Sequence, residues 1–134
     1  MSEGIKENPY LIVFKDSLDK INTIKEKIRI ELKLPISYTM STPNSLEFMA
    51  EGVSKASSLE YLTNILNIKS DETLAIGNSL NDLDMLRWAG IGIAMKNSDH
   101  SLLEKWSSMS EYDNNNDGVS YILDDFLLCN SYQK

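Results

Sequence analysis

The sequence holds a single cysteine, Cys129, in 134 residues. An internal disulfide is therefore excluded, and this cysteine usage fits a reducing cytoplasm. One histidine, His100, is all that could join that cysteine in a structural zinc site, which disfavours one. No apolar run approaches the length of a membrane span. The N-terminal Met-Ser-Glu-Gly-Ile-Lys carries no apolar signal core, so neither a transmembrane segment nor a secretory leader is expected. Positive charge is also scarce. Thirteen Lys and Arg against twenty Asp and Glu leave a net charge of −7. Such a surface repels a phosphate backbone and argues against nucleic-acid binding; its plain reading is solubility.

What is present is ordinary for one globular domain: 42% hydrophobic and 25% charged residues, in a chain long enough to bury a core. Leu11-Ile-Val-Phe14 reads as a strand. Residues 17–33 follow with Leu18, Ile21, Ile24, Ile28 and Leu32 on one helical stripe, capped by Asp16 or Ser17 and stopped by Pro35. Ile36–Met40 and Leu46–Met49 flank the turn chemistry of Thr42-Pro-Asn-Ser45, which predicts a hairpin. The pattern to about residue 50 is β-α-β-β.

Beyond Glu51-Gly52, the expected subdomain boundary, the patterning changes. Ser54 opens a helix carrying Leu59, Leu62, Ile65 and Leu66. Thr73–Ile76 and Ile91–Met95 are strands with no polar alternation, separated by a helix from about Asn81 to Ala89. A short helix near 99–106 and a final one near 118–128 complete the chain. Unalternating strands separated by helices indicate an α/β fold with a parallel sheet covered on both faces.

The loop Ile76-Gly-Asn-Ser-Leu-Asn-Asp-Leu-Asp-Met-Leu86 follows one of those strands, where such sheets bind ligands. Gly77 permits a tight turn. Asp82, with Asn78 or Asp84, offers oxygens to a hard cation such as Mg²⁺. Lys55, behind Gly52-Val-Ser54, offers a point charge to a phosphate. The same residues also read as helix capping by Asn81-Asp82 and a solvated first-turn acid at Asp84. Both readings stand on residue chemistry alone.

Gly52-Val-Ser-Lys55, this loop, and Ala89-Gly-Ile-Gly-Ile-Ala-Met95-Lys-Asn97, in that order, resemble the haloacid-dehalogenase-like phosphatases, in particular the Cof-type branch with a large α/β cap. The likeness covers most of the chain and corresponds to the C-terminal portion of such an enzyme. It implies that residues 1–51 are a remnant of the cap subdomain and 52–134 the C-terminal part of a partial Rossmann-like core. Lys55 matches the catalytic lysine that neutralises the nucleophile and the phosphoryl group. Asn81 matches an asparagine near the phosphate or that lysine, and Asp82 an acid that helps hold Mg²⁺. Asn78 stands where the family has a metal-ligating aspartate; an amide oxygen still coordinates but contributes no charge, so Mg²⁺ affinity should fall.

The resemblance also exposes an absence. The family's nucleophile lies in an Asp-x-Asp motif after an N-terminal strand, and no such motif follows one here. Asp16 and Asp19 stand one residue too far apart, within the segment matching the cap. The expectation is a truncated phosphohydrolase, related to enzymes that hydrolyse small phosphorylated metabolites such as sugar phosphates and inactive alone; the alternative is a non-catalytic interaction protein on a retired scaffold. Without the nucleophile strand beside Thr73–Ile76, an open sheet edge should favour a homodimer or a complementary N-terminal fragment. Asp113-Asn-Asn-Asn-Asp117-Gly118 has calcium-loop spacing, but position twelve is Asp124, and a polar turn is the better reading. His100 reads as a surface residue, Cys129 as a packing thiol, and Trp88, Trp106 and the methionines as packing residues.

Overall fold

The computed structural model describes residues 10–31, 35–42 and 44–130. The N-terminal segment read for a signal core, Leu32 of the helical stripe, Pro43 of the hairpin turn and the side chain of Cys129 lie outside the described residues. The chain divides into two compact units, Met1–Ser54 and Lys55–Lys134.

The first unit contains β1 (Ile12–Lys15), α1 (Leu18–Glu31), β2 (Ile36–Thr42) and β3 (Ser45–Ala50). The predicted hairpin forms: β2 and β3 pair antiparallel, with Ile36 opposite Ala50 and Tyr38 opposite Phe48. β1 adds to the far side of β3, giving an antiparallel sheet of order β1-β3-β2. Cross-strand partners Tyr38 and Phe48 bring their rings to 6.4 Å, within the range where aromatic pairs attract. α1 buries Ile21 and places the Lys25 ammonium 6.0 Å from the Tyr38 ring centre.

The second unit runs α2 (Lys55–Leu66), β4 (Leu74–Gly77), α3 (Leu83–Trp88), β5 (Ile91–Ala94), α4 (His100–Leu103) and α5 (Gly118–Asn130). β4 and β5 are parallel, with Leu74 opposite Ile91 and Gly77 opposite Ala94. Beyond β5, Ala94 exchanges hydrogen bonds with Ser108 and Ser110, a single bridge in place of a further strand. The core is Ala75, Leu83, Leu86, Ala94 and Leu102, with Met85, Ala89, Leu103 and Trp106 packed against it. Gly92 lets this layer close, because a Cβ there would fall 2.2 Å from the Leu86 carbonyl oxygen.

α2 ends as its sequence directs. Asn67 takes left-handed φ of 55°, and the Ile68 and Asn67 amides donate back to the carbonyls of Thr63 and Asn64 at 2.9 and 3.3 Å, the pairing that satisfies the last carbonyls of a helix. Its apolar side is not its buried side. Thr63 is the buried residue, while Tyr61, Leu62, Ile65 and Leu66 face solvent. Periodicity locates an apolar face without saying what covers it.

Candidate functional site

The chain turns sharply where β4 ends. A Cβ on Gly77 would lie 2.5 Å from Cβ of Asp82, so glycine is what allows Asp82 to fold back beneath the strand end. Asn78 and Ser79 make the loop, Leu80–Asp82 form one turn of 3₁₀ helix, and α3 continues from it. The expected helix start near Asn81 is thus a tighter turn.

Asp82 is the hub of this loop. It is only 3% exposed. One carboxylate oxygen accepts from the main-chain amides of Asn78 and Ser79 at 2.9 and 3.1 Å, and the other accepts from the ammonium of Lys55. Burial pushes the Asp82 pKa up. The hydrogen bond from Lys55, those from the two amides, and the lysine charge outweigh it and hold the carboxyl below the usual carboxylate range. Read from sequence, Asp82 is a cap or a cation ligand; in the structure one end of its carboxylate closes the loop and the other pairs with Lys55. Lys55 is the first residue of α2 and its side chain is half exposed, so the ammonium joins a buried carboxylate to solvent. An ammonium carries three donors, and among the described residues the one shown here is directed at Asp82.

The other side of the loop is tied to the segment after β5. The Asn78 carbonyl accepts from the Asp99 amide at 2.9 Å, and the Ser79 hydroxyl donates to the Asp99 carboxylate. The Gly77 carbonyl accepts from the Met95 amide at 2.8 Å. Asn97, within the quoted Met95-Lys-Asn97, exchanges hydrogen bonds with Asn114. These residues frame an open cavity of about 310 Å³ lined by Ile76, Gly77, Asn78, Met95, Asn97 and Asn114. Sequence reasoning did not single out Asp99 or Asn114. Asp99 directly precedes α4, where a short acid reads only as a cap, and Asn114 belongs to an asparagine run that reads only as a turn.

The remaining candidates fall elsewhere. The side-chain oxygen of Asn81 is buried with no hydrogen-bond partner among the described residues, so it makes no hydrogen bond to the Lys55–Asp82 pair. Asp84 is exposed, 3.9 Å from Arg87 one helical turn on. Asp113 accepts from the Asn115 amide and the Asn116 side chain at 2.9 and 2.7 Å, closing a polar turn. His100 lies on the surface of α4 beside Glu104.

A magnesium ion takes about six oxygens in near-octahedral array. Among the described residues no group of three His, Cys, Asp or Glu side chains could hold a metal. Asn78 offers one exposed amide oxygen, and both oxygens of Asp82 are engaged by protein donors. The residues present do not by themselves fit the ion.

Comparison with known proteins places this geometry in context. Residues 2–123 match the family described as haloacid dehalogenase-like hydrolase. The chain is 35% identical over 122 residues to the 5-amino-6-(5-phospho-D-ribitylamino)uracil phosphatase YwtE of Bacillus subtilis, covering 90% of this chain and 42% of that enzyme. Among solved structures it is similar to a haloacid dehalogenase-like hydrolase from Bacteroides thetaiotaomicron, with a TM-score of 0.76 and 27% identity over 92% of this chain and 46% of that one. A haloacid dehalogenase-like hydrolase from B. subtilis gives 0.73 and 29%, over 90% and 42%. The chain spans less than half the length of each of these relatives.

Proposed function

The chain belongs to the haloacid dehalogenase-like hydrolases, and from that membership we propose that it carries the lysine-bearing portion of a cytoplasmic phosphohydrolase site for small phosphate esters such as sugar phosphates. The observation that carries the reading is Lys55, fixed by buried Asp82 at the carboxyl end of β4. In hydrolysis of this kind a carboxylate attacks phosphorus and the ester oxygen departs, while fixed positive charge neutralises the phosphoryl oxygens. Lys55 supplies that charge, and its salt bridge limits where the ammonium sits. Among the described residues no free carboxylate is placed at Lys55: Asp82 is buried and engaged, and no Asp-x-Asp follows β1. We therefore expect little or no turnover by this chain alone.

A non-catalytic interaction protein on the same scaffold is the second reading, favoured by Asn78 standing where the resemblance places a carboxylate. Phosphate release from a panel of sugar phosphates in Mg²⁺ separates the two, measured with and without a polypeptide bearing the Asp-x-Asp strand. Silence from the chain alone and release from the mixture, abolished by Lys55→Ala, is the expected result. Turnover by the isolated chain that Lys55→Ala removes would overturn the inactivity. A silent mixture would favour the interaction protein.

A further inference from the structure

Asp99 stands at the N-cap of α4, where a carboxylate ordinarily accepts from an amide of the helix's first turn. Here its side chain makes no such bond. The Leu102 and Leu103 amides donate to the Asp99 carbonyl instead, at 3.0 and 3.1 Å. The carboxylate is turned the other way, onto the Ser79 hydroxyl. Capping chemistry is spent on a loop distant in sequence.

That contact completes the grip on a two-residue turn. Asp82 takes the Asn78 and Ser79 amides at 2.9 and 3.1 Å, and its own amide donates back to the Ser79 carbonyl at 2.9 Å. The Asp99 amide donates to the Asn78 carbonyl at 2.9 Å. All four main-chain polar groups of Asn78 and Ser79 are therefore engaged by two aspartates, one of which also holds Lys55. The two aspartates differ in their surroundings. Asp82 is buried against its own strand end, whereas Asp99 is exposed and arrives from the segment beyond β5.

We propose that Asp99 is a positioning residue for the phosphate site, acting through the Ser79 hydroxyl. It fixes the Asn78–Ser79 turn, the turn fixes the Asp82 carboxylate, and that carboxylate sets where the Lys55 ammonium stands. The inference rests on the phosphohydrolase reading and adds to it a residue that acts on Lys55 only through other groups. A cap and a positioning residue make different demands. A cap is indifferent to Ser79, and its loss frays α4. A positioning residue fails when either partner of the hydroxyl–carboxylate bond is removed.

The test compares Ser79→Ala, Asp99→Ala and Asp99→Asn in the 134-residue chain, by amide hydrogen exchange and by the NMR signal of the Lys55 ammonium nitrogen at neutral pH. Ser79→Ala leaves the residues of α4 and its cap unaltered, and Asp99→Asn keeps an oxygen for the hydroxyl. Ser79→Ala and Asp99→Ala should each speed exchange at the Asn78 and Ser79 amides by about fivefold. Both should move the Lys55 signal in the same sense, with no further change in the double variant. Asp99→Asn should bring both readouts back toward the natural chain. Ser79→Ala that leaves the Asn78 amide and the Lys55 signal unchanged overturns the proposal. So does Asp99→Ala whose only effect is faster exchange at Leu102 and Leu103, the mark of a cap. Titration with inorganic phosphate tests the parent reading separately. A natural chain whose Lys55 signal ignores phosphate sinks the phosphate site, while the exchange results still decide whether Asp99 holds the turn.

Discussion

The pair Lys55–Asp82 should show strong energetic coupling, and a double-mutant cycle measures it. Lys55→Ala leaves a carboxylate that is 3% exposed with two amide donors and no cation. A hydrogen bond to a charged group contributes about 1.5–3 kcal/mol. The lysine side chain is half exposed, so water replaces part of it, and the loss should fall near about 1–2 kcal/mol. Asp82→Asn keeps the shape and an oxygen for the two amides, but turns an NH₂ group toward the ammonium, for a similar loss of about 1–2 kcal/mol. In the double variant neither the stranded carboxylate nor the donor–donor conflict remains. The two losses should therefore not add, leaving a coupling of about 1 kcal/mol or more. Both tryptophans, Trp88 and Trp106, lie in the Lys55–Lys134 unit, so their fluorescence during urea unfolding reports that unit. Single-variant losses that sum to the double within about 0.5 kcal/mol would refute the coupling and leave the ion pair without energetic consequence.

Acid should remove the same interaction. The Asp82 pKa is lowered on folding, so its contribution is complete above the ordinary carboxylate value of about 3.9 and fades as pH falls below it through the folded value. Urea midpoints from pH 7 to 3 should drop less for Asp82→Asn than for the natural chain; parallel curves would contradict this. Gly77→Ala should cost about 1–3 kcal/mol by forcing Asp82 away from the strand end, read as a lower urea midpoint. An unchanged midpoint would show that the loop has slack there. Asp113→Ala should destabilise its turn by about 1 kcal/mol and speed hydrogen exchange at the Asn115 amide, with no effect on exchange at Asn78.

Much of the architecture is legible in the sequence because it follows from local rules. The hairpin at Thr42–Ser45, the parallel pair at Thr73 and Ile91, and the helices after Asp16, Ser54 and Asp117 all stand near where apolar spacing and turn residues place them. Two things were not legible. The first is what lies against an apolar face: the stripe on α2 has helical spacing yet faces solvent, since a neighbour belongs to the fold and not to the helix. The second is how a polar side chain divides its contacts. Asn81-Asp82 reads as a cap or a metal ligand, and only the structure shows Asp82 closing its loop while pairing with Lys55. Asp99 escaped notice for the same reason, because its partners, Asn78 and Ser79, are distant in sequence and adjacent in space.

Asn78 is gripped entirely by its main chain. Its amide donates to Asp82 and its carbonyl accepts from Asp99, while its side chain stands exposed at the cavity. The position of this residue is thus set by groups every amino acid but proline possesses. Chemistry here is interchangeable, like a bit in a fixed chuck: aspartate or asparagine would be held in the same place by the same two bonds. Asn78→Asp would therefore add a carboxylate at the cavity while leaving both main-chain bonds available, its cost being the repulsion from the Asp82 and Asp99 carboxylates nearby.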